Sequence, residues 1–328
     1  MNALHGCGPF DPRGVNSMPM SRLLLILCAA AALVACGRRT PSSRPAAEPA
    51  APARVFLPAI APSALSDEEK IDYLRWHYWD RFDFADTLFI READTLMMAE
   101  AFARYAAILA SRPTDGAPMD SLMRRAAASR PMLDYFAYLS ATVLHDPNSP
   151  LRNDEFYSPV LRAQLASPWY DEWERLGPEY ELQTAMQNRL GERANDFRYT
   201  LASGATGTLY GVRAEYVLVF INNPGCALCK EIREQIVSSP MLTEMIERGR
   251  LKVVALYPDE DLTEWRAYRE KIPASWINGY DRGCVVRETN SYDLSAIPAL
   301  YLLDSEKRVL VKDSTDVGYI EEVIDRRG

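Results

Sequence analysis

Val217-Leu218-Val219-Phe220-Ile221-Asn222-Asn223-Pro224-Gly225-Cys226-Ala227-Leu228-Cys229-Lys230 decides the reading of this chain. The apolar run Val217–Ile221 reads as a buried strand, and it leads straight into a Cys-x-x-Cys pair. Glu231-Ile232-Arg233-Glu234-Gln235-Ile236-Val237 then continues in helical rhythm. Cysteines three apart at a helix start face the same way, close enough for a disulfide. The first of them points its sulfur at backbone N–H groups that have no partner inside the helix. The positive end of the helix dipole there favours thiolate over thiol, and the thiolate is the reactive form. A strand, a dithiol and a helix in that order are what redox chemistry at sulfur requires.

The surroundings of this stretch alternate between strand and helix. Asp196–Leu201 alternates in polarity, Ser203-Gly204-Ala205-Thr206-Gly207 makes a turn, and Thr208-Leu209-Tyr210 returns as the second arm of a hairpin. Downstream come a strand at Leu251–Tyr257, a helix from about 262 to 271, a hairpin of Ala299–Asp304 with Arg308–Lys312, and a closing helix from about 317 to 326. Glu260-Asp261 stands where a helix N-terminus welcomes negative charge. This order predicts an α/β fold with a mixed sheet over residues 191–328. Upstream the rhythm is helical throughout. Ser66-Asp67-Glu68-Glu69 caps a helix that carries Ile71, Leu74, Trp76 and Tyr78. Further helices are predicted at about 94–111, 119–128, 131–145, 155–166 and 171–190, broken by the turn clusters at 112–116 and 145–150. Residues 63–190 therefore read as a small all-helical domain of unknown role, without internal repeats.

Three separated segments in the second half resemble the thioredoxin fold, in the form found in membrane-anchored proteins of the TlpA and ResA type. Ala194-Asn195-Asp196-Phe197 matches their opening, Cys226-Ala227-Leu228-Cys229 falls at their active-site position, and Tyr292–Asp304, with Ile297-Pro298 inside it, resembles their cis-proline segment. Together with Tyr78-Trp79-Asp80-Arg81-Phe82-Asp83-Phe84-Ala85-Asp86, the arrangement over about 66–328 resembles bacterial envelope lipoproteins that join a DUF5106 helical domain to a C-terminal thioredoxin-like domain. The resemblance implies that Pro298 is cis and lies against the CxxC, leaving the backbone at Ile297 free to pair with a substrate strand. It also implies a thiol–disulfide oxidoreductase that works on proteins without a soluble cofactor. Cys226 would be the nucleophile and Cys229 the buried partner that resolves the mixed disulfide. Relatives mostly place an aromatic residue before the first cysteine, where this chain has Gly225. The intervening Ala227-Leu228 is neither Gly-Pro nor Pro-His, so it assigns neither a reductant nor an oxidant.

Near the other end, Arg22 precedes an apolar run, Leu23 to Ala35, that closes on Leu33-Val34-Ala35-Cys36. A basic flank, a short apolar segment and small residues before a cleavage point make a secretory signal over 1–35, with Met18 or Met20 the expected start. The run is shorter than the roughly 20 apolar residues a membrane span needs. The tetrad resembles the bacterial lipobox, which implies that Cys36 is diacylated and becomes the mature N-terminus. The alternative is an ordinary signal peptide with an incidental Cys36. Residues 36–62, rich in Pro, Ala, Ser and Arg, read as a tether with little to bury. As a flexible coil it would reach about 25–30 Å. Gly37 rather than Asp after the cysteine points to the outer membrane, at its periplasmic face.

Composition narrows the rest. A net charge of −8 without a basic stripe argues against nucleic acid. His5, His77 and His145 are the whole histidine complement, too scattered for a metal site, and none is expected. Of the six cysteines, Cys7 and Cys28 fall before the cleavage point, so Cys226, Cys229 and Cys284 remain as thiols of the folded part. In an oxidising compartment an exposed CxxC is usually a working dithiol. Its alternatives are a structural disulfide or half of a zinc site. Cys284, read in a loop-to-strand stretch Asp281–Val286, is either a third redox thiol or a small half-buried apolar residue. Lys230 either lowers the Cys226 pKa or is a solvated surface lysine. Trp76, Tyr78, Trp79, Phe82 and Phe84, with Trp169 and Trp173, are expected to build core rather than a peptide or glycan platform. The expected partners are protein disulfides or dithiols, a membrane redox partner and the lipid anchor. The competing reading is a non-enzymatic binding or scaffold lipoprotein in which the helical domain recognises a partner and the CxxC is structural.

Overall fold

In the computed structural model, which describes residues 54–112 and 116–327, Ser66 caps the first helix, α1 (Asp67–His77). The Ser66 hydroxyl accepts the Glu69 N–H at 3.3 Å while the Glu69 carboxylate accepts the Ser66 N–H at 2.8 Å, so two otherwise orphaned donors are satisfied. The short α2 (Phe89–Glu92) leads into α3 (Thr95–Ala110), N-capped by Asp94, and then α4 (Ala117–Ala126). α5 (Arg130–Ser140) runs on into a π-helical turn at Ala141–His145. Asn153 caps α6 (Asp154–Ala166), and a second reciprocal capping box, Asp171 with Glu174, starts α7 (Glu172–Ala185). Their apolar faces meet in one cluster built on Trp79, Phe102, Met119, Leu133, Phe136 and Leu161. Burying each such side chain contributes about 2 kcal/mol.

The upstream segment is not tether to its end. Phe56 is buried and stacks on Trp79 with ring centroids 4.7 Å apart, and the Arg54 N–H donates to the Glu92 carbonyl at 3.0 Å. The expectation of a tether over 36–62 is thus corrected from residue 54 onward. A single aromatic residue in a Pro/Ala-rich stretch gave no periodicity, yet it found the open side of the core. Cys7, Cys28, Cys36, His5, the signal segment and the rest of the tether lie outside the described residues.

After a linker, a seven-stranded sheet forms in the order β2-β1-β5-β4-β3-β6-β7. Its strands are β1 (Arg198–Leu201), β2 (Thr206–Thr208), β3 (Tyr216–Ile221), β4 (Leu251–Tyr257), β5 (Ile277–Tyr280), β6 (Ala299–Asp304) and β7 (Val309–Ser314). β3, β4 and β5 pair in parallel, and the other neighbours are antiparallel. Both faces of β3 are buried, because helices cover one side and loops the other. Leu218 and Phe220 meet α8 (Ala227–Ser238), α9 (Pro240–Glu247) and α12 (Val317–Asp325). Val217, Val219 and Ile221 meet Phe197, Tyr292 and Val286 on the opposite face. α10 (Leu262–Tyr268), N-capped by Asp261, and the single-turn α11 (Val285–Glu288) complete the fold.

β5 and α9 were not foreseen. Asn278-Gly279 reads locally as a turn, but Gly279 lies under the Tyr199 ring, where an added Cβ would come within 2.9 Å of Tyr199 Cβ. The linker also has a task. The Gly191 N–H donates to the Val309 carbonyl at 2.8 Å, and the Val309 N–H donates to the Glu192 carbonyl at 2.9 Å, so the linker pairs with the first residue of β7. No described helix is long and apolar enough to cross a membrane.

Candidate functional site

Antiparallel pairing of β3 with β6 sets Ile221 opposite Ala299, so the segments leaving β3 and entering β6 meet at one end of the sheet. Leaving β3, the Asn222 N–H donates to the Leu256 carbonyl at 3.0 Å and its amide to the Phe220 carbonyl at 3.1 Å, which locks the exit. Gly225 then turns the chain with φ +78°, a left-handed value that disfavours any residue with a Cβ, and nothing lies within 4 Å of where that atom would be. The glycine in place of an aromatic residue is therefore a backbone requirement of this turn. The Cys226 backbone is extended, which makes it the N-cap of α8, and its sulfur accepts the Cys229 N–H at 3.0 Å.

Cys226 and Cys229 are joined as a disulfide with their Cα atoms 5.2 Å apart. Cys229 is buried against Ile232 and the sheet, whereas Cys226 is half-buried and flanked by exposed Ala227 and Leu228. On the other side of the cleft, the Ile297–Pro298 peptide is cis and the Ile297 carbonyl oxygen sits 3.8 Å from Cys226 Sγ. The structure thus brings Cys226, Cys229, Ile297 and Pro298 together, with one sulfur accessible and the other shielded. Two opposing influences act on Cys226 when it is reduced. The Cys229 N–H and the α8 dipole favour its thiolate, while the Ile297 carbonyl, a partial negative charge, favours the thiol.

Cys284 is not part of this cleft. It is buried in a left-handed turn (φ +53°) as the N-cap of α11, so its stretch runs from loop to helix rather than into a strand. Its neighbour Asp281 is buried too, and desolvation raises its carboxyl although it accepts the Val286 N–H at 2.7 Å. Lys230 is 64% exposed and faces Glu234 at 3.9 Å, as a surface lysine does. His77 pairs with Asp80 at 2.7 Å and stacks on Tyr73, and His145 stacks on Tyr157. Tyr78, Trp79 and Phe82 are core, and Phe84 packs against them. Trp76, Trp169 and Trp173 are not, at 48%, 45% and 77% exposure: Trp76 and Trp173 lie on outward helix faces and Trp169 in the turn between α6 and α7.

Sequence reading missed an ionic cluster beside the cleft. Arg152, just ahead of α6, pairs with Asp293, and its Nη2 lies 2.7 Å from Asp313 Oδ2 without the alignment of a hydrogen bond. Lys312 pairs with Asp154 at 2.6 Å and donates to the Ala185 carbonyl at 2.7 Å. All five side chains are 12% exposed or less. Burial pushes the Asp313 carboxyl up to about 7, against the pull of Arg152 and with the help of the Asp293 and Asp154 charges. Desolvation of Asp293 is outweighed by its bonds to Ser295 and by Arg152, so its carboxyl lies below the usual range. Long-range pairing of this kind leaves no periodic signal, and Arg152 sits in a turn cluster where a solvated arginine is the ordinary reading.

Residues 37–188 match the family model of DUF5106, a domain of unknown function. The crystal structure of a thioredoxin-like protein from Bacteroides caccae ATCC 43185 is 41% identical, with a TM-score of 0.77, over 83% of this chain and 98% of that one. The C-terminal domain of an uncharacterized protein from Bacteroides fragilis NCTC 9343 is 48% identical over 42% of this chain and 98% of its own length, with a TM-score of 0.41. No curated protein matches. With that identity sustained over nearly the full length of the B. caccae protein, the chain belongs to the same family of thioredoxin-like proteins, and its residues 37–188 are a DUF5106 domain.

Proposed function

We propose that this protein is a thiol–disulfide oxidoreductase that exchanges disulfides on envelope proteins through Cys226 and Cys229. The observation that carries the reading is the asymmetric disulfide in the cleft, with half-exposed Cys226 beside Ile297-Pro298 and Cys229 buried behind it. In the reducing direction the Cys226 thiolate attacks one sulfur of a substrate disulfide. The other substrate sulfur leaves as a thiolate, and a mixed disulfide forms. Cys229, deprotonated, then attacks Cys226 Sγ and releases the second substrate thiolate. Two electrons pass to the substrate, and the dithiol becomes the Cys226–Cys229 disulfide. A dithiol on a membrane partner would restore the reduced form by the same chemistry in reverse. Ile297 presents its backbone to the substrate strand, and Pro298, which has no N–H, leaves that edge unoccupied. Diacylated Cys36 would hold the protein at a membrane, with the periplasmic face of the outer membrane as the proposed site.

The test is a glutathione-buffered titration with thiol trapping. The expected result is a reversible two-electron transition between about −120 and −270 mV, absent in Cys226→Ser. In Cys229→Ser a mixed disulfide with substrate should accumulate, since nothing remains to resolve it. A disulfide that never opens under native conditions would overturn the reading and leave a binding protein with a structural crosslink.

A further inference from the structure

The first four residues of the segment Asn290–Ile297 are each held from outside the thioredoxin-like sheet. Asn290 donates through its amide to Thr184 Oγ1 at 2.7 Å, at the end of α7. The Ser291 carbonyl accepts the amides of Asn188 at 2.7 Å and Asn195 at 3.0 Å, both in the linker. Tyr292 is buried and donates its hydroxyl proton to the Asn195 carbonyl at 2.7 Å. Asp293 accepts from Arg152 with one oxygen and from the Ser295 N–H at 2.8 Å with the other. Two residues later, the Ile297 carbonyl is in contact with Cys226 Sγ. A continuous chain of contacts therefore runs from the helical part, through Arg152, Asp293 and Ser295, to the reactive sulfur.

The Arg152 link differs from the others in being charged and almost dry. A guanidinium and a carboxylate at about a tenth exposure are costly to separate, because Asp293 would be left a buried charge without its cation and Arg152 with only its unaligned contact to Asp313. Arginine also fixes direction as well as distance, since its planar fork cannot swivel as an ammonium does. Asp293 in turn shapes the Asp293–Ser295 turn through a backbone bond, so a shift in the carboxylate moves the peptide that leads into Ile297.

We propose that Arg152, supplied by the helical part, is a positioning residue for the redox site: through Asp293 it fixes the Asp293–Ile297 segment against Cys226 so that an incoming protein strand meets a preformed backbone edge. This rests on the oxidoreductase reading above. It gives the DUF5106 portion a task in the chemistry that neither its sequence nor its family description provides. A merely structural ion pair would lower stability and leave the discrimination between large and small substrates unchanged. A positioning residue changes that discrimination, because a protein disulfide docks along the segment whereas a small dithiol reaches Cys226 without it.

The experiment compares the full protein with Arg152→Met, Asp293→Asn and the double variant, using insulin as the protein disulfide and dithiothreitol as the small reductant. The quantity read is the ratio of the insulin rate to the dithiothreitol rate. It should fall about ten-fold in each single variant, the scale on which sub-ångström misplacement acts. The double variant should fall no further than either single one, since both break one link. Arg152→Lys, which keeps the charge but not the fork, should recover part of the loss. An unchanged ratio in folded variants overturns the proposal. Should Arg152→Met fail to fold, Asp293→Asn decides alone, because its amide oxygen can still accept the Ser295 N–H while the ion pair is gone. A wild-type protein whose disulfide opens with dithiothreitol yet never exchanges with insulin would instead count against the oxidoreductase reading itself.

Discussion

At Gly225 a single backbone angle, φ +78°, sets the path of the chain into the dithiol. The chain must reverse from the β3 exit into α8 within Asn223, Pro224 and Gly225, and a positive φ achieves that with no side chain to accommodate. Because nothing lies near the missing Cβ, substitution there tests the backbone alone. Gly225→Ala should destabilise the protein by about 1–2 kcal/mol, and Gly225→Asn by clearly less, since asparagine tolerates the left-handed region. Denaturant midpoints of the two variants would show it, and equal losses would mean that the turn had rearranged. Cys226 and Cys229 were legible from the sequence because their chemistry depends on local order, strand then dithiol then helix. Pro298 became legible only through resemblance, since nothing in Ile297-Pro298-Ala299 taken alone demands a cis bond. Arg152 was not legible at all, because its partners lie 141 and 161 residues away and burial, not sequence, makes an arginine important.

Among the elements, those with a strong period were foreseen, α9 excepted, and those defined by neighbours were not. The boundaries of β4 agree with the expectation from seven apolar-rich residues, and α1 begins where its capping box predicts. β5 is a four-residue strand containing Asn-Gly, and only its neighbours β1 and β4 make it one. β7 is irregular for a similar reason. Its register with β6 shifts around Asp313, whose own φ is +49°, and that bulge turns a carboxylate inward toward Arg152. The cluster there holds three carboxylates, Asp154, Asp293 and Asp313, against two cations, Arg152 and Lys312, so one bound proton balances it. The folded state keeps a proton on Asp313 up to about pH 7, whereas the unfolded chain releases it near pH 4. Between those values the folded state binds more protons, so this group's contribution falls as pH rises, by at most about 1.4 kcal/mol per pH unit. Asp293, held low, acts in the opposite sense and loses its contribution only when pH falls through its folded value. Urea midpoints from pH 5 to 8 should therefore decline more steeply for the wild type than for Asp313→Asn, and parallel curves would refute the buried proton.

Over the whole molecule, the described residues from 54 onward form one compact unit. Phe56 is buried within that unit, so part of the segment expected as tether belongs to the fold. If Cys36 anchors the chain, the redox cleft is confined near a membrane, and loss of the anchor should change location without changing chemistry. Cys36→Ser is expected to shift the protein from the membrane to the soluble fraction of the envelope while its reduction potential stays the same. Retention of the variant in the membrane fraction would count against lipidation. The linker pairs with the first residue of β7 at one margin of the sheet. Open sheet edges invite another chain to add a strand, which is how many sheet proteins aggregate or swap segments. Here the linker between Gly191 and Ala194 covers the start of one edge, at Lys307 and Val309, and the opposite edge, β2, is three residues long with a glycine at its centre. A strand from another chain would thus find only short stretches of unpaired backbone at either margin of the sheet.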